Sequence, residues 1–188
     1  PSNNSRYSIE QDRAPTRPMD LTSVPEVVPG PVRRTLAGNR SPYEVLGKTY
    51  HVLPTEAGYS QRGVASWYGE KFHGHKTSNG EIFSMYEVSA AHKSLPIPSF
   101  LKVTNLDNNR SIVVRVNDRG PFHGDRIIDL SYAAAVKLGY AHRGTTRVQL
   151  DAVIVNEPVG NEDHPASKEI SGILKSPEIF LQVGAFSD

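Results

Sequence analysis

The chain has 188 residues, of which 37% are hydrophobic and 22% are charged, a composition typical of a soluble globular protein with polar tails. Its formal net charge of +1 provides no basic footprint for nucleic acid, and no apolar run approaches the roughly 20 residues of a membrane helix. The absence of cysteine excludes disulfides, thiolate metal ligands and a cysteine nucleophile.

Residues 1–42 are predicted to form a disordered N-terminal linker. They hold seven of the fourteen prolines and show little apolar periodicity, so they bury too little apolar surface to offset their chain entropy. From Tyr43 the pattern changes, because residues 43–46 and 49–53 are short β-prone runs separated by a turn at Gly47. We expect these runs to form a lead-in segment that leans against the domain that follows.

Residues 63–155 are predicted to hold the core of that domain. The predicted strands cover residues 63–68, 99–105, 111–117, 126–130 and 145–155. Ser131 is expected to N-cap a short helix over residues 132–138, which Gly139 can end. Several strands around one short helix favour a small closed barrel, and the pattern alone leaves its topology open.

The C-terminal part of the chain is predicted to contain a second linker and the start of another unit. Residues 156–177 are polar and typical of a linker. Residues 178–188 begin a strand, and about ten residues are too few to form a domain. We therefore expect a truncated start of a further domain there.

Four ordered blocks of the sequence resemble the rare lipoprotein A family. The blocks are GVASWYGEKFHGHKTSNGEIF at 63–83, AAHKSLP at 90–96, VRVNDRGPF at 114–122 and RIIDLSYAAAVKLG at 126–139. The resemblance implies a mainly β fold, a six-stranded double-psi β-barrel with short helices, covering residues 43–155 and flanked by disordered linkers. The tail IFLQVGAF similarly resembles the first strand of the sporulation-related repeat called SPOR.

The same resemblance implies an activity and a location. It implies an endo-acting lytic transglycosylase that cleaves the MurNAc–GlcNAc bond of peptidoglycan, prefers strands lacking stem peptides and leaves 1,6-anhydroMurNAc ends without a cofactor. It also implies a monomer anchored by lipid to the outer membrane, facing the periplasm, with division-site envelope proteins as partners. The alternative is a non-catalytic, expansin-like module that grips peptidoglycan without cutting it.

Asp118 is the first candidate for the catalytic acid. It ends a buried apolar strand and precedes the turn Arg119–Pro121, a position well suited to a carboxyl in a groove. From the residues alone, an Asp that caps the turn is the favoured interpretation, since Asp before a Gly-Pro turn is common. The resemblance favours the acid, because the Asp of this block aligns with the acid of the family's barrel.

Two further polar residues are assigned to the catalytic group with Asp118. Glu81 follows the turn of residues 77–80, where the resemblance implies a functionally important carboxylate; a solvated strand-edge Glu is the alternative. His92 is a candidate to orient a carboxyl or to donate to a sugar hydroxyl, and a structural histidine is the alternative. None of the three residues is expected to fill the core.

Further residues are assigned to substrate binding. These are Tyr68, Phe72, Ser78, Asn79, Arg119 and Phe122. The aromatic members can stack on sugar rings, and core packing is their alternative role. Arg119 can bind substrate carboxylates or pair with Asp118. No metal site is predicted, because His73 and His75 lack the spacing of a zinc hydrolase and a convincing further ligand among His123 and Asp125.

Overall fold

A computed structural model describes residues 11–16, 20 and 23–155 of the chain. Within that part the elements are eight strands, one α-helix and a 3₁₀ turn. The strands are β1 (Tyr43–Val45), β2 (Lys48–Tyr50), β3 (Ser60–Tyr68), β4 (Ser89–His92), β5 (Ser99–Asn105), β6 (Ser111–Asp118), β7 (Arg126–Ser131) and β8 (Thr146–Val153). The helix α1 covers Tyr132–Lys137, and the 3₁₀ turn covers Ala141–Arg143. No helix in the described residues is long and apolar enough to cross a membrane.

Six of the strands form a closed barrel in the order β3–β7–β4–β6–β5–β8. The pairs β3–β7 and β4–β6 are parallel, and the other pairs are antiparallel. The predicted mainly β fold with a six-stranded barrel is confirmed. Each predicted barrel strand is present, and its ends differ from the prediction by at most three residues.

The barrel interior holds the main apolar core. Alternate residues of the strands point inward, as Val114 and Val116 of β6 and Ile128 and Leu130 of β7 do. Helix α1 packs three buried alanines into this core, and the Ser131 hydroxyl accepts a hydrogen bond from the Ala134 amide. The predicted N-cap is therefore confirmed, and side chains between the inward positions face the outer surface of the barrel.

Strand β4 is the barrel strand that the sequence pattern did not predict. Its four residues, Ser89–His92, are all buried and lie between β6 and β7. Ala and Ser have low strand propensity, and four residues give no measurable alternation. Small side chains fit here because apolar residues of the 68–85 region pack over the outside of this strand.

The described residues of the N-terminal segment pack on the barrel, which differs from the disordered linker predicted over residues 1–42. Val24 is 7% exposed and belongs to the main core. Asn39 receives a hydrogen bond of 2.8 Å from the Ile97 amide at Oδ1 and donates from Nδ2 to the Ile97 carbonyl. The segment packs on the barrel with few apolar residues, because hydrogen bonds to the barrel backbone satisfy its polar groups.

The lead-in runs form a hairpin, β1–β2, which lies against the loop after β4. The Tyr43 hydroxyl donates to the Lys93 carbonyl at 2.6 Å, and the Leu53 amide donates to the Ser94 carbonyl at 2.7 Å. The predicted second linker at 156–177 and the predicted SPOR strand at 178–188 lie outside the described residues, as do residues 1–10.

Candidate active site

Asp118 stands at the end of β6, where the turn of residues 77–81 meets the barrel. Its Oδ1 accepts three hydrogen bonds, from the Ser78 amide at 2.9 Å, the Ser78 hydroxyl at 2.6 Å and the Arg119 amide at 2.8 Å. Its Oδ2 has no hydrogen bond to the described residues. The carboxyl is thus held in place through one oxygen, and the second oxygen remains available to a substrate.

Glu81 docks the same turn on the outer face of β6. Its carboxylate accepts hydrogen bonds from Arg115 Nη2 at 2.7 Å, Asn117 Nδ2 at 2.9 Å and Asn79 Nδ2 at 2.9 Å. Burial acts to raise the pKa of Glu81, but the hydrogen bonds from Arg115, Asn117 and Asn79 together outweigh it and lower the pKa. Glu81 is therefore a fixed negative charge at neutral pH and not a proton donor.

Arg119 is occupied by protein acceptors. Its Nε donates to the Gly38 carbonyl at 2.7 Å, Nη1 donates to the His92 and Leu95 carbonyls at 3.1 and 2.6 Å, and Nη2 donates to Asn39 Oδ1 at 3.2 Å. A guanidinium has five N–H donors, so these bonds leave one donor. Its geometry thus fits a cross-link between the N-terminal segment and the loop after β4 better than the predicted grip on substrate carboxylates.

His92 is buried, with 3% of its surface exposed, so the expectation that it lies outside the core is wrong. Its Nδ1 accepts from the amides of Ser94 at 3.2 Å and Leu95 at 3.1 Å. We therefore assign the ring proton to Nε2, which lies 2.7 Å from the Tyr59 hydroxyl oxygen. Burial, helped by Arg119 and Lys93, lowers the pKa of His92 to about 3, so the ring is neutral near pH 7.

Comparison with known proteins shows which proteins this chain is similar to. A family model described as lytic transglycolase matches residues 60–150, a range that includes the 77–81 turn, five barrel strands and the first part of β8. A curated protein of Vibrio cholerae called "Endolytic peptidoglycan transglycosylase RlpA" is 49% identical over 163 residues, 87% of this chain and 61% of that protein. The chain belongs to the rare lipoprotein A (RlpA) family.

One further relative and one solved structure are also similar to the chain. A Pseudomonas aeruginosa protein with the same name is 52% identical over 143 residues, 76% of this chain and 41% of that protein. The chain thus spans about two to three fifths of these RlpA relatives. A solved structure titled "Streptomyces papain inhibitor (SPI)" is 23% identical, covers 53% of this chain and 99% of that one, and has a TM-score of 0.44.

Asp129 is a carboxyl of this RlpA domain that the sequence analysis did not single out. The register sets Ala91 of β4 beside Asp118 of β6 on one side and beside Asp129 of β7 on the other. With strands about 4.8 Å apart, the two aspartate Cα atoms are on the order of 10 Å apart. Both carboxyls flank the small Ala91 side chain on the outside of the barrel.

Burial gives Asp129 an unusual affinity for a proton. It raises the pKa of Asp129 to about 6, against the opposing charges of Arg126 and Lys93. Arg126 Nη1 lies 3.0 Å from Oδ1, but the angle is not that of a hydrogen bond, and Oδ1 is buried without a hydrogen-bond partner. The sequence feature that could have indicated Asp129 is its position as a charged residue between two apolar residues of a strand, Ile128 and Leu130, which face the core.

The aromatic residues predicted to bind sugar occupy two different places. Tyr68 is buried, with its ring stacked on Phe83 at 4.2 Å between centroids and Phe72 packed against its edge at 6.0 Å. Its hydroxyl is buried without a hydrogen-bond partner, and burial and then the Asp118 charge raise its pKa well above the usual value. Tyr68 and Phe72 thus form the packed support beneath the site in this structure.

Phe122 lies on the other side of Asp118, against the β1–β2 hairpin. Its ring meets Tyr50 at 5.3 Å and Tyr43 at 6.4 Å, both edge to face. Phe122 is half-buried and lines an open cleft, so it remains accessible to a ligand.

The residues considered as metal ligands do not form a cluster. Within the described part of the chain, no group of three or more His, Cys, Asp or Glu side chains is arranged to hold a metal ion. His73 accepts a hydrogen bond from the Met85 amide at 3.2 Å and packs against Tyr86. Its ring nitrogen therefore anchors local backbone.

Proposed function

We propose that the chain is an endo-acting lytic transglycosylase that cleaves the MurNAc–GlcNAc bond of peptidoglycan and prefers strands lacking stem peptides. The relatives that share about half of its residues carry the name endolytic peptidoglycan transglycosylase. The observation that carries the proposal is the Asp118 carboxyl, fixed through Oδ1 and open at Oδ2.

In the proposed reaction Asp118 acts first as acid and then as base. Protonated Oδ2 gives its proton to the glycosidic oxygen while the bond from that oxygen to C1 of MurNAc breaks. The C6 hydroxyl of the same MurNAc then attacks C1, and its proton returns to the Asp118 carboxylate. The products are a GlcNAc hydroxyl end and a 1,6-anhydro ring, so no water is consumed and the acid is regenerated.

Glu81 and His92 have supporting roles in this proposal. Glu81 is held charged by Arg115, Asn117 and Asn79, so it stabilises the positive charge that develops on the sugar ring. His92 is a positioning residue: its carbonyl accepts from Arg119 Nη1, and its ring fixes the start of the loop after β4. Ser78 and Asn79 hold the two carboxylates and frame the substrate.

The proposal extends to the place of action. A peptidoglycan substrate requires action in the cell envelope, and we propose a periplasmic protein carried by an outer-membrane lipid anchor, with division-site envelope proteins as partners. The resemblance of the sequence blocks to the rare lipoprotein A family supports this proposal.

The test is to incubate the chain with purified sacculi and with stem-stripped strands and to identify the products by mass spectrometry. We expect 1,6-anhydroMurNAc ends and faster cleavage of the stripped strands. Products heavier by one water would make the enzyme a hydrolase, and binding without cleavage by the unmodified chain would favour the expansin-like module.

The Asp118→Asn variant identifies the acid. It keeps the shape of the side chain but cannot donate the proton, so turnover should fall by about 10²–10⁴. Asp129→Asn is the matched variant on the same barrel face. Loss of turnover in Asp129→Asn with full turnover in Asp118→Asn would transfer the acid role to Asp129.

A further inference from the structure

A cleft of about 320 Å³ lies beside Asp118, on the side of the N-terminal segment. Its walls come from residues 36–40, from the β1–β2 hairpin and from Phe122, and Ser78 contributes to both the cleft and the Asp118 carboxyl. The cleft is therefore continuous with the candidate active site, and a glycan chain crossing Asp118 can extend into it.

The surface of the cleft is mainly apolar, with one unoccupied cation at its edge. Leu36 is 69% exposed there, and Tyr43, Val45 and Phe122 supply further apolar surface. Arg40 also lines the cleft, is exposed and has no ion pair or hydrogen bond to the described residues. No acidic residue is among those lining it, so the cleft favours a ligand that carries one negative charge.

The frame of the cleft is rigid, so Arg40 starts from a fixed backbone position. Gly38 and Asn39, the two residues before it, accept hydrogen bonds from Arg119, and Asn39 is also bonded to the Ile97 backbone. Arg119 itself has nearly all of its donors occupied, which leaves Arg40 as the arginine available to a ligand at this cleft.

We propose that this cleft binds a muramyl residue whose stem peptide has been removed and that Arg40 recognises its lactyl carboxylate. The inference rests on the proposed function for its substrate. A lactyl group ends in a carboxylate when it carries no peptide and in a neutral amide when it does, whereas GlcNAc has neither. A guanidinium distinguishes these states, because charge-assisted hydrogen bonds are about twice as strong as neutral ones.

The experiment uses two ligands and measures binding on an Asp118→Asn background, so that no strand is cut. One ligand is stem-stripped glycan, and the other is the same glycan after coupling each lactyl carboxylate to methylamine. We expect Arg40→Gln to weaken binding of the first ligand by about tenfold, in the range of a charge-assisted hydrogen bond. Amidation should weaken binding to the parent chain similarly and should not weaken Arg40→Gln further.

Arg33→Gln is the matched control, since Arg33 is an exposed arginine of the same segment that does not line the cleft. It should bind both ligands as the parent does. Equal weakening of both ligands by Arg40→Gln, unchanged binding, or the same effect from Arg33→Gln would overturn the proposal.

Failure of this inference is distinguishable from failure of the proposed function. Arg40-dependent binding of the carboxylate ligand by a chain that cuts nothing would support the cleft and refute the enzyme. Cleavage with anhydro products and no selective effect of Arg40→Gln would support the enzyme and refute the role of the cleft.

Discussion

Ser78 joins the 77–81 turn to Asp118 through two separate donors, and removing one of them tests how much positioning contributes. Ser78→Ala removes the hydroxyl bond of 2.6 Å and keeps the amide bond of 2.9 Å. We expect kcat on stem-stripped strands to fall by about tenfold, less than for Asp118→Asn, because the acid remains but is less well oriented. An unchanged kcat would mean that the backbone amides alone fix Asp118.

His92 and Asp129 are buried groups whose pKa values move in directions that give opposite pH dependences of stability. The pKa of His92 is about 3 in the folded chain, compared with an ordinary value of 6.5 in the unfolded chain. Its contribution to the free energy of unfolding is therefore complete above pH 6.5 and is lost as the pH falls towards 3. The pKa of Asp129 is about 6 in the folded chain, compared with an ordinary value of 3.8 in the unfolded chain. Its contribution to the free energy of unfolding is therefore present below pH 3.8 and is lost as the pH rises to 6.

The two slopes nearly cancel between about pH 4 and 6 in the parent chain. Asp129→Asn should therefore make the free energy of unfolding rise more steeply with pH in that window, and His92→Gln should make it rise less or fall. Urea unfolding at a series of pH values measures both slopes, with His142→Gln, an exposed residue, as the control. Parallel slopes in all variants would contradict both assignments.

At the scale of elements, the N-terminal segment is tied to the barrel at Gly38. Gly38 has φ +72, and an added Cβ would lie 2.5 Å from Ile97 Cδ1 and 3.1 Å from the Ser78 backbone. Gly47 has nearly the same φ, +73, with nothing within 4 Å of an added Cβ. An alanine at either position would therefore have the same backbone strain, but only an alanine at Gly38 would also collide with neighbouring atoms.

We expect the free energy of unfolding to fall by about 1 kcal/mol in both glycine-to-alanine variants, because alanine is strained in the left-handed conformation. In Gly38→Ala it should fall by about 1–3 kcal/mol more, because the added methyl group overpacks the contact with Ile97. Thermal and urea unfolding measure this difference. Gly38→Ala should also weaken glycan binding, since the wall of the cleft shifts, whereas Gly47→Ala should not. Equal losses of stability would show that the segment yields without disturbing the barrel.

The sequence predicted most elements where the physical signal is local. The apolar run 112–114 within the predicted strand 111–117 and the Ser131 cap each depend on neighbours in the chain, so they were predictable. Strand β4 and the packing of residues 23–42 depend on contacts with distant residues, such as Asn39 with Ile97, and carry no periodicity of their own.

The same distinction separates the site residues. Asp118 and Glu81 could be named from resemblance, but the hydrogen bonds that tie Asp118 to Ser78 and Glu81 to strand β6 join positions 34 to 40 residues apart. The occupation of Arg119, the burial of His92 and the neighbouring position of Asp129 follow from barrel closure, so no local pattern could indicate them.

At the scale of the whole molecule, β8 joins both ends of the strand order, because it pairs with β3 on one side and β5 on the other. During synthesis from the N-terminus, no closed barrel can exist until residues 146–153 have been made. Before that point β3 and β5 each present an unpaired edge, a surface that favours association between chains.

A chain that stops before Thr146 should therefore aggregate, and a separate peptide covering residues 144–155 should restore solubility if added during refolding. Light scattering with and without the peptide measures this, with a scrambled peptide as the control. Synthesis of the last barrel strand thus determines when the new chain stops exposing strand edges that favour aggregation.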